Sequence, residues 1–232
     1  MSKQWVEKLE DRALLSLVEL AGFDLMVNAS DVDDEITIVA NGGLPGIYIN
    51  NVFELYDASA LGDTPLQNII ITCGQGNDLV RVQGNLSNSL VVFGGEGNDT
   101  LYGSIGSDLL FGDGGSDMLV GGEGDDALYG GAGSDLILGQ GGNDGIWGDD
   151  YTSSSLDGND IAFGGAGQDV LYGGGGSDIL FGDNGDDSML GDSGTDLLYG
   201  GAGNDTLCGG DQAGFDDSFD LLLGGAGQNV YP

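Results

Sequence analysis

From Gly94 onward a large apolar residue returns at nine-residue intervals: Leu101, Leu110, Leu119, Leu128, Ile137 and Ile146, then Leu171, Leu180, Met189, Leu198 and Leu207. The three residues centred on it, such as "LIL" at 136–138, predict a short strand. Strand side chains alternate in direction, so the eighth place of every unit points to one face along the whole array. The six residues before it, such as "GGAGSD" at 130–135, carry glycine in the first, second and fourth places and predict a tight turn. Turn, strand, turn, strand is a flattened coil of eighteen residues, with alternate units on opposite edges. Units begin at Gly94, Gly103, Gly112, Gly121, Gly130, Gly139 and Gly148, and again at Gly164, Gly173, Gly182, Gly191, Gly200, Gly209 and Gly224. The units starting at Gly148 and Gly209 are longer than nine residues, and such insertions map to loops on a repeat scaffold.

Upstream the pattern changes. "EITIVA", "GIYIN", "NIIITC", "DLVRV" and "SLVVF", between residues 35 and 92, are β-branched runs separated by Gly, Asn and Asp, and predict irregular strands. "CGQGNDLVR" (Cys73–Arg81) already has the nine-residue form, with Asp78 in the sixth place. This region is expected to start the solenoid and cover its open edge. Before it, Trp5, Leu9, Ala13, Leu17 and Leu20 fall at helical spacing and predict a short amphipathic helix over residues 1–20. Glu7, Glu10 and Asp11 interrupt any signal-peptide apolar region there. The expected organisation is residues 1–34 as N-terminal helix or sorting-like segment, 35–93 as cap, and 94–232 as regular array. The fold class is all-β, a parallel β-solenoid.

Charge then narrows the chemistry. The chain has 39 acidic and four basic residues, no histidine, and a net charge of −35. The four cations are Lys3, Lys8, Arg12 and Arg81, so the carboxylates of the array have no basic side chain to pair with. Such charge opposes nucleic acid and anionic membrane as partners. No run reaches 18 apolar residues, which argues against membrane insertion by a helix. Absent histidine removes the usual general base and imidazole metal ligands. No G-x-S-x-G context surrounds any serine before the array, and an enzyme is not expected. Cys73 and Cys208 lie too many coils apart to bridge and are expected to be free.

The acidic residues keep phase with the apolar ones. Asp78, Asp99, Asp108, Asp117, Asp126, Asp135, Asp144, Asp160, Asp169, Asp178, Asp187, Asp196, Asp205 and Asp220 take the sixth place, and Asn229 takes it in the last unit. Stacked along two edges at about 4.8 Å per coil, bare carboxylates repel, and the chain without metal is expected to stay open. A hard divalent cation between turns reverses that sign. Calcium suits carboxylate and carbonyl oxygens in a flexible six-to-eight-coordinate shell, magnesium wants a stricter octahedron, and zinc wants Cys or His. All fourteen aspartates are therefore candidate Ca2+ ligands, with several ions bound. Around Asp220 the fourth-place glycine is missing, and Asp replaces the second glycine at Asp113, Asp149, Asp183 and Asp192, where Asp tolerates the left-handed backbone.

The pattern G-G-x-G-x-D-x-(large apolar)-x resembles the repeat of RTX, or hemolysin-type, calcium-binding proteins, over about 140 residues in some fourteen copies. The resemblance implies a calcium-loaded parallel β-roll, exported from bacteria and working extracellularly, secreted or at the cell surface. "LEDRALLS" (Leu9–Ser16) resembles an N-terminal sorting segment of some bacterial surface proteins, and a plain capping helix is the simpler reading. The resemblance leads to the expectation of a secretion segment after the repeats, which Val230, Tyr231 and Pro232 do not supply, so that another export route, a fragment or a degenerate family member is expected; a non-catalytic remnant of a larger secreted enzyme or toxin is the alternative reading. The ninth place is often aromatic (Tyr102, Phe111, Tyr129, Trp147, Phe163, Tyr172, Phe181, Tyr199) and the seventh often apolar. These residues either cover neighbouring strands or make an adhesive or surface-layer face for self-association or a cell-surface partner.

Overall fold

The computed structural model describes residues 17–21, 24–29, 32–40, 46–49, 52–54, 68–149, 157–210 and 220–232. The chain winds between two sheets. One contains β8 (Ser89–Glu96), β10 (Leu109–Gly114), β12 (Ala127–Ala132), β14 (Gly145–Trp147), β16 (Val170–Gly176), β18 (Ser188–Gly194) and β20 (Thr206–Gly210). The other contains β9 (Thr100–Tyr102), β11 (Met118–Glu123), β13 (Leu136–Gly141), β15 (Ile161–Ala166), β17 (Ile179–Asn184), β19 (Leu197–Ala202) and β21 (Leu221–Leu223). Neighbours within each sheet are parallel and in register, Leu110 beside Leu128 and Leu119 beside Ile137. This is the parallel β-roll expected of the repeat.

The longer units leave the register intact. Ile137 still faces Ala162, Ile146 faces Leu171, and Leu198 faces Leu222. The surplus falls in sequence between β14 and β15 and between β20 and β21, and residues 150–156 and 211–219 lie outside the described residues.

At the N-terminal end β2 (Asp24–Asn28) and β3 (Glu35–Ala40) form the first coil, parallel to β6 (Asn68–Gln75) and β7 (Leu79–Gly84). Antiparallel strands then close both sheets: β1 (Leu17–Ala21) on β2, and β4 (Gly46–Ile49) with β5 (Val52–Glu54) on β3. A reversed strand ends a parallel stack, because its outer edge no longer matches a following coil. The helix expected over residues 1–20 falls largely on residues 1–16, outside the described residues. Its last four, Leu17–Leu20, are strand instead. The backbone ladder offered by β2, pairing Leu17 with Asn28 and Leu20 with Leu25, overrides the helical spacing. Among the described residues there is no helix.

The eighth-place side chains form the core. Leu101, Leu110, Leu119, Leu128, Ile137, Ile146, Leu171, Leu180, Leu198 and Leu207 are fully buried, and Ile36, Ile38, Ile69, Ile71, Val80, Leu90 and Val92 continue the stack into the first coils. Each regular coil thus buries two large side chains, together contributing about 3–6 kcal/mol. That is a thin core for eighteen residues, and the backbone and the turns must supply the rest. Cys73 and Cys208 are free, seven strands apart in the same sheet.

In-register stacking also aligns the ninth-place rings. Phe93, Phe111, Tyr129, Trp147 and Tyr172 lie face to face along one sheet, with centroids 4.5–5.9 Å apart. On the other sheet Phe163 stacks on Phe181 at 4.7 Å, and Tyr199 turns its edge to Phe181. The rings cover one another's faces, so the ladder is packing between coils.

Candidate metal centre

The turns hold their aspartates through a repeated backbone contact. The N–H of each sixth-place residue donates to Oδ1 of the sixth-place residue one coil on. On the first edge the donors are Asp34, Asp78, Asp99, Asp117, Asp135, Asp160, Asp178 and Asp196, the last onto Asp220, at 2.6–2.9 Å. On the second edge Leu90 donates to Asp108, and Asp108, Asp126, Asp144, Asp169 and Asp187 each donate to the next, ending with Asp205 on Asn229, at 2.7–3.2 Å. The sixth-place carbonyl is used as well, for example by the N–H of Leu136 on Asp117 at 2.9 Å. Every predicted aspartate, Asp220 included, therefore stands in one of two stacks.

One carboxylate oxygen is satisfied and the other is not. Oδ2 is buried without a hydrogen-bond partner in twelve of them: Asp78, Asp99, Asp117, Asp126, Asp135, Asp144, Asp160, Asp169, Asp178, Asp187, Asp196 and Asp205. A buried anionic oxygen without a partner is costly and calls for a cation or a proton. Burial, with smaller additions from nearby carboxylates, pushes Asp126, Asp135 and Asp178 up to about 8 against the opposing pull of the donated N–H. Asp78, Asp117 and Asp160 rise to about 7, and Asp144, Asp169 and Asp187 to about 6, for the same first reason.

Except at Asp78, whose unit begins with Cys73, the orphaned oxygen lies over the first-place glycine of its own unit. A Cβ on Gly130 would come within 2.4 Å of both Asp135 Oδ2 and the carbonyl oxygen of Gly148 in the next coil. Gly139, between Asp144 Oδ2 and Gly164 O, and Gly191, between Asp196 Oδ2 and Gly209 O, repeat this at 2.3–2.5 Å. A carboxylate and a carbonyl oxygen thus converge on a space that only glycine leaves open. No three acidic groups meet at one point among the described residues, so backbone oxygens must complete any coordination shell. A hard, oxygen-seeking cation of flexible coordination fits this donor set.

Asp108 differs. Its Oδ2 accepts the N–H of Ser104 at 2.5 Å, and the Ser104 hydroxyl reaches Oδ1 at 3.2 Å. Ser104, in the second place, closes this carboxylate with protein donors.

Several residues outside the predicted ligand set take part. Asp34 heads the first stack and is buried. "DEIT" (Asp34–Thr37) has the Asp and the eighth-place Ile of the repeat without its glycines, which was the available signal. Fifth-place side chains form a second, exposed ladder running the other way. Asn98 donates its N–H to Asn77 Oδ1, Ser116 to Asn98 Oδ1, Asn143 to Asp125 Oδ1 and Gln168 to Asn143 Oδ1, at 2.8–2.9 Å. Among second-place residues, Asp113, Asp183 and Asp192 adopt φ of 67–68°, as expected, and Gln140 joins them at 76°. Asp149 is not left-handed; its carboxylate instead accepts the N–H groups of Gly158 and Gly175.

Fold and turns together define a calcium-binding β-roll, in which repeated Gly/Asp turns stack along the edges of a two-sheet solenoid. The model of the RTX calcium-binding nonapeptide repeat matches in four copies, at residues 91–119, 120–150, 155–189 and 181–215. These cover more than half of the sequence, and the chain belongs to that family. No curated protein matches it.

Proposed function

We propose that the sixth-place aspartates hold several calcium ions between successive turns, and that calcium binding and folding of the roll are one equilibrium in an extracellular protein. The twelve buried, partnerless Oδ2 atoms carry this reading. In the apo state each must keep a proton or sit as a buried charge; calcium removes that choice. The ligands would be Oδ2 and turn carbonyls such as that of Gly148 beside Asp135. Asp108, already closed by Ser104, is the weakest member of the set. Binding to the folded chain alone stabilises it by mass action. Extracellular calcium modules bind at roughly 0.1–1 mM, a level suited to a site filled outside the cell. A bacterial origin and export rest on the family resemblance. Far-UV circular dichroism during a calcium titration, with magnesium as control, tests the coupling. A steep coil-to-β transition with calcium alone is expected; a full β spectrum in chelator at pH 8 would overturn it.

The outer face of the second sheet favours an additional role in self-association. From β11 to β21 its seventh-place row is Met118, Leu136, Ile161, Ile179, Leu197 and Leu221, and its ninth-place row ends in Phe163, Phe181, Tyr199 and Leu223. Neither row holds a carboxylate, so two copies can meet there with their acidic turns at the rim. Sedimentation in calcium tests it, and a monomer at tens of micromolar excludes it.

A further inference from the structure

The turn that begins at Gly224 is built on the plan of the others with each metal-facing oxygen replaced. In a regular unit the sixth-place carboxylate gives Oδ1 to the N–H of the preceding coil and turns Oδ2 toward its first-place glycine. In the unit that begins at Gly224 the sixth place is Asn229. Its Oδ1 accepts the N–H of Asp205 at 2.8 Å, as an aspartate would. That contact fixes the amide orientation and leaves Nδ2, a donor, facing Gly224: a Cβ there would lie 2.4 Å from Nδ2.

The second replacement is Tyr231. In regular units the first-place N–H donates to a ninth-place carbonyl of the next coil, as Gly103 does to Val120 and Gly148 to Tyr172, at 2.7 and 2.9 Å. Gly224 donates instead to the Tyr231 hydroxyl at 2.9 Å. The same hydroxyl stands 2.3 Å from the Gly224 Cβ position, where other turns place a carbonyl oxygen of the next coil at comparable distance. Gly224 is buried beneath these two side chains. The tail is tied down on both sheets, by Ala226 beside Ala202 and by Val230 beside Thr206.

We infer that Asn229 and Tyr231 close the turn at Gly224 without metal. The phenol stands where other turns set the oxygens of the next coil, and the amide sets N–H hydrogens where a carboxylate would draw a cation. Asn229 thus interrupts the series of ion sites on its edge, an inference that rests on the calcium reading for the sites before it. Asp220, one half-coil earlier, keeps the aspartate and its place in the stack.

Two substitutions in the full chain, studied in saturating calcium, test this. Tyr231→Phe removes the acceptor for Gly224. Hydrogen exchange of the Gly224 amide is expected to quicken at least tenfold, with amides of β13 unchanged and the number of bound calcium ions unchanged. Asn229→Asp is expected to add one calcium ion per chain by equilibrium dialysis. Unchanged Gly224 exchange in Tyr231→Phe, or loss of an ion there, overturns the metal-free closure. An unchanged ion count in Asn229→Asp overturns the role given to the amide. A wild-type chain that binds no calcium would refute the site reading, and Gly224 exchange would still decide by itself whether Tyr231 closes the turn.

Discussion

At the scale of a residue, Asp135 does two separable things. Its Oδ1 satisfies the N–H of Asp117, and its Oδ2 faces the space over Gly130. Asp135→Asn keeps an acceptor for the N–H and removes the charge. The variant is expected to be more stable than wild type in chelator and to need more calcium to fold fully. Asp135→Ala loses both, leaving a buried N–H unpaired at a cost of about 1–3 kcal/mol, and is expected to lower stability in chelator and in calcium alike. Thermal melts of both variants in calcium, and in chelator at pH 6 where the chain still keeps β structure, check this; Asn and Ala behaving alike would mean that Oδ1 contributes nothing. The period made the sixth place legible because ligand, glycine and apolar residue keep phase there. Ser104 and Asp34 escaped it for opposite reasons. Ser104 only replaces a glycine, and its effect appears once its N–H is seen to close Asp108. Asp34 has lost the glycine half of the unit, and only pairing of β3 with β7 puts it in line.

At the scale of an element, each unit contributes a strand that is ordinary and a turn that is specialised. The strands were readable from apolar spacing, and so was the two-edged stacking. What a single unit cannot show is contact between units eighteen residues apart, which is where the fifth-place ladder and the ring stack arise. β1 failed for a related reason: its Leu and Val spacing suits a helix, and the partner that makes it a strand lies across a turn. The ring stack gives its own test. Gly145 occupies a seventh place, and the Trp147 ring lies across it, 2.7 Å from where a Cβ would stand. Tyr129 stacks on that ring at 4.5 Å. Gly145→Val should push the indole outward, shift its fluorescence to the red, and cost about 0.5–1.5 kcal/mol in lost stacking. Calcium stoichiometry should be unchanged, because the rings stack along the strands of one sheet and the ladder aspartates stand in the turns. An unshifted emission spectrum would contradict the packing described.

At the scale of the whole molecule, protons and calcium compete for the same oxygens, and the sign of the pH dependence follows. In the folded apo chain burial raises nine of the ladder carboxylates to about 6–8, whereas in the unfolded chain they titrate near 4. The folded form therefore holds more protons between those values. Its stability from these groups is complete below about pH 4 and is lost as pH rises through 6 to 8. Net charge of −35 adds repulsion in the same direction. Calcium needs the ionised form, so its affinity rises with pH over that window. In chelator, β structure is expected at pH 5 and its loss by pH 8; in millimolar calcium it should persist at pH 8, with the calcium midpoint falling as pH increases. Circular dichroism at the two pH values, with and without calcium, decides the matter. Equal β content in chelator at pH 5 and pH 8 would show that the apolar core and the antiparallel strands at the N-terminal end fold the roll unaided, and calcium would then only reinforce a structure already formed.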